Sequence, residues 1–344
     1  MKKKISILIF VCCFYSVVKA QDTFLSQLSS NAQFLSPASV GNGVYQSRVQ
    51  SNYRSQLLDG NTLYKTIFLG WDRRYKNKDE NVQNYLGLGG QLISDQVMNG
   101  ILQTNYLTMN AAYHIFFDDD LRKNFALGLG LTFAQSNLKV DELKFLDQFS
   151  NGEFLLNTSS ASLANLINNT SKFSMNTGLL YTSHTQTSFV QFSANAFFMS
   201  KPELTIDNTS ASSGFKTLLF FNIEKEGDDK KTFMIHASLN SRNANAQYLI
   251  GGAIGLPFGS YYEFENRLYL GLYGRINNGQ KDKMALDAII PNFSILMSQY
   301  RFGLSYDIYS SGFSGAQIKP SSFELSFSKS FGKRRADYFR TIFD

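Results

Sequence analysis

The sequence predicts an all-β protein: a transmembrane antiparallel β-barrel of about fourteen strands, built as a single domain. Three observations carry this. Residues alternate between large and small without a break from Phe125 to Ala134, and the same two-residue period returns in segment after segment. A removable leader stands ahead of the first strand. Beyond it, no stretch approaches the roughly 18 to 20 continuous apolar residues that a helical span requires, so membrane insertion must use strands.

The leader is read from its three parts. Lys2, Lys3 and Lys4 form a positive start, Ile5 to Val18 an apolar core broken by Ser6 and Ser16, and Val18-Lys19-Ala20 a small-residue cleavage signal. Residues 1–20 are therefore expected to be a secretory signal peptide, cut near Ala20. Both cysteines, Cys12 and Cys13, lie within it, which leaves the mature chain without a disulfide framework or a thiolate metal site. Lipidation is disfavoured because Val11 precedes Cys12 and Cys12 precedes Cys13.

Losing Lys2, Lys3, Lys4 and Lys19 lowers the formal charge by four, from +6 to +2, so the basic pI does not point to nucleic acid. Charged residues are 17% of the chain and aromatic residues 15%, with 18 Tyr and 31 Phe. A soluble domain carries about a quarter charged residues. Few charges and many aromatics suit a wall that faces lipid and is girdled where it meets the headgroups. The near-neutral mean hydropathy, −0.18, is compatible with this, because the other face of every strand is polar.

The candidate strands run near 44–55, 62–74, 82–94, 102–116, 122–135, 173–183, 186–198, 214–225, 230–241, 247–255, 261–275, 283–289, 297–309 and 320–332. In the fourth, Leu107, Met109, Ala111, Tyr113 and Ile115 alternate with Thr108, Asn110 and His114. In the eleventh, Leu268, Leu270 and Leu272 alternate with Arg267, Tyr269, Tyr273 and Arg275. In the thirteenth, Phe302, Leu304, Tyr306 and Ile308 alternate with Arg301, Gly303, Ser305 and Asp307. Each pairs a dry face with a wet one.

Loop lengths agree with an N-terminus on the periplasmic side. The longest connections, 136–172, 199–213 and 310–319, are the fifth, seventh and thirteenth, and these fall outside. Tight turns at 117–121, 184–185 and 226–229 are the fourth, sixth and eighth. The pattern is weakest around 276–296, where the outside loop and the twelfth strand are both short. The 136–172 insertion is long enough to be functional or disordered. Within it, Phe145, Asp147 and Phe149 are candidate partner-binding residues, and Ser159 to Ile167 a candidate short helix.

The last strand places Phe323, Leu325, Phe327 and Phe331 on one parity, interrupted by Lys329. Alternation ending in an aromatic resembles the C-terminal signal of barrel-assembly clients, here followed by Gly332 to Asp344. The expected organisation is a signal peptide (1–20), a periplasmic N-terminal segment (21–43), the barrel (44–332) and a basic C-terminal tail (333–344).

Catalytic and metal signatures are missing. His114, His184 and His236 sit on separate strands or turns without metal-ligand spacing and read as lumen residues. Gly312-Phe313-Ser314-Gly315-Ala316 lacks the second Gly of a nucleophile elbow, and Asp118 to Asp120 lacks calcium-loop spacing. Gly87-Leu88-Gly89-Gly90 lies within a strand, where Gly serves curvature or close backbone packing. No cofactor and no enzymatic activity are expected.

Particular residues then add a resemblance. Gln21-Asp22-Thr23-Phe24-Leu25-Ser26-Gln27, Phe34-Leu35-Ser36-Pro37-Ala38 and Gly41, followed by Arg48 and Tyr53-Arg54-Ser55-Gln56, resemble the opening of the PorP/SprF family of the type IX secretion system. Ser36 replaces the family's usual Asn. Gly87-Leu88-Gly89-Gly90 before Asp95, Leu138 with Phe145-Leu146-Asp147-Gln148-Phe149, and Phe302-Gly303-Leu304-Ser305-Tyr306-Asp307 before Ser310 and Ser311 extend it across nearly the whole mature chain. The resemblance implies a non-enzymatic barrel, integral to the outer membrane, that helps secrete a surface protein or anchor an adhesin-type cargo. The implied partners are outer-membrane lipid, a secreted surface protein or its C-terminal sorting domain, and periplasmic components of the secretion machinery. The rival is a porin-like nutrient channel, with Arg48, Arg54, Arg267, Arg275 and Arg301 lining its bore.

Overall fold

The computed structural model describes residues 25–58, 61–76, 83–118, 120–143, 148–150, 153–154, 169–197, 216–242, 245–259, 266–278, 284–310, 320–335 and 338–344. Five strands come first: β1 (Ser47–Leu58), β2 (Asn61–Lys76), β3 (Tyr85–Val97), β4 (Leu102–Phe116) and β5 (Lys123–Leu138). Inside the following connection, β6 (Phe149–Ser150) and β7 (Glu153–Phe154) form a separate two-residue ladder. The series resumes with β8 (Asn169–His184), β9 (Ser188–Phe197), β10 (Lys216–Glu226), β11 (Thr232–Arg242) and β12 (Asn245–Pro257). It ends with β13 (Arg267–Asn278), β14 (Met284–Met297), β15 (Tyr300–Tyr309) and β16 (Ser321–Phe331). Apart from β6 and β7, all of these belong to one closed antiparallel barrel of fourteen strands. Every strand pairs with its neighbours in sequence, and β16 returns to β1, from Ser47 against Phe331 to Leu57 against Ser321. Closure leaves no edge to satisfy in lipid.

The alternation places side chains as the period requires. On β5, Phe125, Leu127, Leu129 and Leu131 point outward, while Ala126, Thr132 and Ala134 are buried inward. On β13, Leu270 and Leu272 face out, and Arg267, Tyr269, Tyr273 and Arg275 face in. The outward Lys329 lies with its ammonium 5.0 Å from the ring centres of both Tyr300 and Phe331, so its charge rests in the aromatic band near the strand's end. A charge at the middle of the wall has no such refuge. Leu129→Arg is expected to cost about 2–4 kcal/mol of barrel stability, read as a lower denaturant midpoint in lipid vesicles.

The twelfth barrel strand is longer than its sequence suggests. β14 runs through Pro291 to Met297 instead of ending near 289. Pro291 pairs on one side with Leu272 of β13, but the ladder to β15 lapses at Ile290 and Pro291 and resumes at Asn292. The missing N–H thus falls where the ladder is already interrupted, the setting in which a sheet tolerates proline.

The three longest connections, 139–168, 198–215 and 310–320, leave from one rim, called here the loop rim. The chain enters β1 and leaves β16 at the opposite, end rim, together with the turns at 117–122, 185–187 and 227–231. Alternation of lengths is nevertheless incomplete. The loop rim also carries the short connections 59–60 and 243–244, and the end rim the nine-residue 258–266.

The larger departure concerns the ends of the chain. The segment 21–43, expected as a periplasmic N-terminal segment, lies within the bore over its described part, residues 25–43. The tail expected at 333–344 folds back, so that Tyr338 to Asp344 are buried there too. Apolar side chains explain both placements. Leu25 and Phe34 pack with Phe68, Ile93 and Tyr106, while Leu28, Leu35, Phe339, Ile342 and Phe343 pack with inward Phe189, Phe220 and Leu249. The leader, 1–20, lies outside the described residues.

Candidate functional site: a bore filled by the chain's own ends

The N-terminal segment is built of three short turns, Leu28–Ser30, Ala32–Leu35 and Pro37–Ser39. None is long enough to be stable alone. Their irregular backbone is held by wall side chains, as a buried backbone without a regular ladder must be. Glu324 of β16 accepts from the Ser26 amide at 2.6 Å and the Gln27 amide at 3.0 Å. The Gly41 amide donates to Asp72 of β2 at 2.8 Å. Arg74 donates to the carbonyls of Gly43 and Tyr45, each at 3.1 Å. His114 contacts the Val40 carbonyl through Nε2 at 2.9 Å. Since a carbonyl only accepts, Nε2 carries the proton and Nδ1 receives the Asn124 amide at 3.1 Å.

Glycine makes room for this segment. A methyl group on Gly87 of β3 would lie 2.0 Å from the Val40 oxygen, and one on Gly128 of β5 would lie 2.2 Å from the Ala38 nitrogen. The Pro37-to-Gly41 stretch therefore rests directly on the backbone of the wall. Gly87 and Gly89 of the strand glycine cluster are thereby accounted for by close packing against the segment.

Charges are gathered into two clusters. In the first, near the loop rim, Arg54 bonds Asp307 at 2.6 Å, Glu324 at 3.3 Å and the Ser26 hydroxyl at 2.5 Å. Arg275 joins it through Asp307 and Asp287, each at 2.6 Å. In the second, near the end rim, Arg48 pairs with Asp72 at 3.1 Å and donates to the Phe343 carbonyl at 2.8 Å. The two ends of the chain meet there, where the Val44 amide donates to the Asp344 side chain at 2.8 Å. Arg301 donates to Ser29 and Ser30, both at 2.7 Å. Arg267 pairs with Glu226 and donates to the Arg340 carbonyl at 3.1 Å. Glu224 accepts from the Ile342 amide at 3.1 Å. Tyr338 stacks on His184 at 4.6 Å, and burial raises its phenol above the ordinary tyrosine pKa.

All five arginines assigned to the bore from the sequence are thus inside it. They are bound to carboxylates and to the inserted ends instead of to solvent. Of their carboxylate partners, Asp307 and Glu324 stand on the polar parity that the sequence shows in its last two strands, whereas Asp72 and Asp287 carry no signal in the sequence beyond a strand parity shared with lumen residues. The three histidines remain apart: His114 serves the N-terminal segment, His184 the tail, and His236 packs edge-on to Phe220 and Tyr273. Among the described residues no group of His, Cys, Asp and Glu is placed to hold a metal. Of the loop candidates, Phe149 lies in β6, while Phe145, Asp147 and the expected helix at 159–167 fall outside the described residues.

A closed strand wall, apolar outside and filled with ordered polypeptide inside, defines an integral barrel of the outer membrane. The family model described as type IX secretion system membrane protein PorP/SprF matches residues 17–328, and the chain belongs to that family. Among solved structures the chain is similar to a Pseudomonas aeruginosa FadL homologue, at 9% identity over 88% of this chain and 94% of that one, with a TM-score of 0.50. It is also similar to the Ralstonia pickettii toluene transporter TbuX, at 10% identity over 88% and 94%, with a TM-score of 0.49. At such identities the likeness is one of fold alone. No curated protein matches the chain.

Proposed function

We propose that this type IX secretion barrel works by binding rather than by catalysis or solute passage. It holds a secreted surface protein, of adhesin type, or that protein's C-terminal sorting domain, at the outer surface of the membrane, in support of secretion and gliding. The observation that carries this reading is the filled bore. The arginines a channel would expose are engaged in ion pairs or hydrogen bonds with the wall and the inserted ends. A rigid, closed cylinder suits an anchor, because load on its loops is passed to a ladder that has no edge in lipid.

By the convention of such barrels, the loop rim faces out and the end rim faces the periplasm. The long 139–168 connection, with Phe145, Asp147 and Phe149, is the leading contact for the cargo. The N-terminal segment lies in the bore, so contact with periplasmic machinery falls to the end-rim turns and to the exposed Lys333. Replacing residues 143–166 by a short flexible linker is expected to leave an inserted, folded barrel while releasing the surface protein into the medium. Affinity capture from outer membranes, scored beside the released fraction, checks this. Unchanged retention on that variant would remove the loop from the contact.

A further inference from the structure

The lipid-facing side of the wall carries charge of one sign. On the outward parity of the described barrel strands the charged residues are Lys65, Arg73, Lys123, Lys225 and Lys329, and no carboxylate stands there. Among the described residues none of the five forms an ion pair. Arg73, Lys123, Lys225 and Lys329 each stand within three residues of the end-rim terminus of their strand, while Lys65 lies toward the loop rim. Cations without a counter-charge are costly against hydrocarbon and favourable beside phosphate, so this band lies at the depth of lipid headgroups.

Two of the four flank the seam where the barrel closes. In register across β2, β1, β16 and β15, Trp71 stands beside Val49, Lys329 and Tyr300, and one step nearer the end rim Arg73 stands beside Ser47 and Phe331. Arg73 and Lys329 are thus two strands apart and offset by two residues, a backbone separation of about 12 Å. Only Ser47 and Val49 of β1 lie between them. Both cations lean toward the end rim. Arg73 lies 5.4 Å from the ring centre of Tyr75, and Lys329 lies 5.0 Å from that of Phe331, each ring being the aromatic two residues further along the same strand.

We propose that the end-rim band of the outer wall binds anionic phospholipid headgroups, and that its densest site is at the β1 seam, where Arg73 and Lys329 share one headgroup over Ser47. The occupant is lipid because the cations are set among Trp71, Val49, Tyr300 and Phe331, which belong to the hydrocarbon boundary. Whatever covers the charges must also lay apolar chains against the wall. A phospholipid does both.

The chain has one tryptophan, and Trp71 is exposed on the wall beside this site, so its fluorescence reports the lipid held there. The full chain is reconstituted into vesicles that mix phosphatidylglycerol with phosphatidylcholine, first one lipid and then the other carrying brominated, quenching acyl chains. Quenching is expected to show about a fivefold preference for phosphatidylglycerol around Trp71. Arg73→Gln combined with Lys329→Gln should abolish that preference in barrels whose folding is verified by their migration on unheated gels. Lys123→Gln, on a distant part of the wall, should leave it unchanged. Raising the salt to about 1 M should weaken the preference of the unaltered protein, a reading that needs no variant. Equal quenching by the two lipids, or a preference that persists in the double variant or at high salt, would overturn the proposal.

Discussion

Gly128→Leu is expected to convert a closed barrel into one that passes ions. An added Cβ would stand 2.2 Å from the Ala38 nitrogen and 2.5 Å from the Pro37 carbonyl carbon, well inside contact distance. One side must move. β5 is fixed by continuous ladders to β4 and β8, from Leu102 against Leu138 to Lys123 against Ser183. The N-terminal segment is held by short turns, side-chain bonds and apolar packing, with no strand ladder of its own. Overpacking of this kind costs typically about 1–3 kcal/mol, and here the segment yields, because the wall cannot without losing a run of ladder bonds. Planar-bilayer recordings of the purified protein should then show conductance where the unaltered protein shows none. Added protease should cut within 25–44 in the variant alone. A variant that inserts normally and remains electrically silent would mean that the wall, and not the segment, accommodates the change.

The largest loss of stability is expected from Arg54→Ala. Arg54 is the cation bonded to both Asp307 and Glu324, and both carboxylates are buried. Arg275 still neutralises Asp307, but Glu324 loses its guanidinium while it is bonded to the Ser26 and Gln27 amides. Removing one member of a buried pair costs about 3–5 kcal/mol, most of it the uncompensated charge that remains. The temperature at which the folded form disappears on gels should fall accordingly. Adding Glu324→Gln to Arg54→Ala should recover part of the loss, since it removes the stranded charge while keeping a hydrogen-bond acceptor. If the double variant is as unstable as the sum of the two single ones, charge is not the cause.

The wall was legible because its signal is local. A two-residue period announces each strand wherever one face meets lipid, and on β4, β5, β13 and β15 it placed the inward and outward residues correctly. The sequence pattern ends the twelfth strand near 289, and the lapse in the β15 ladder that lets β14 run on through Pro291 is a tertiary fact. The contents of the bore were legible only in fragments. Ser26, Gln27, Ser29, Ser30, Asn31 and Gln33 have the composition of a solvated segment, and it takes Glu324 and Arg301, nearly three hundred residues away, to bond the first four of them. Two hints were available. The small inward residues of β3 and β5 leave space that something must fill, and Phe339, Ile342 and Phe343 are out of place in a tail read only for its charge. The family opening at 21–41 marked this segment as distinctive, without indicating that it is the filling of the barrel.

The meeting of Val44 with Asp344, beside the pairing of Ser47 with Phe331, orders events during assembly. Those contacts join positions almost the whole chain apart, so they carry the greatest loop-closure entropy in the molecule and form late. Ladders between sequence neighbours can zip first into an open, curling sheet. A segment with bulky turns enters such a sheet from the side far more easily than it threads a finished cylinder. The closing seam between β1 and β16 is then also the door through which the N-terminal segment is stowed. The kinetic expectation is a barrel whose last, slowest step removes its two edges and its vacant interior together.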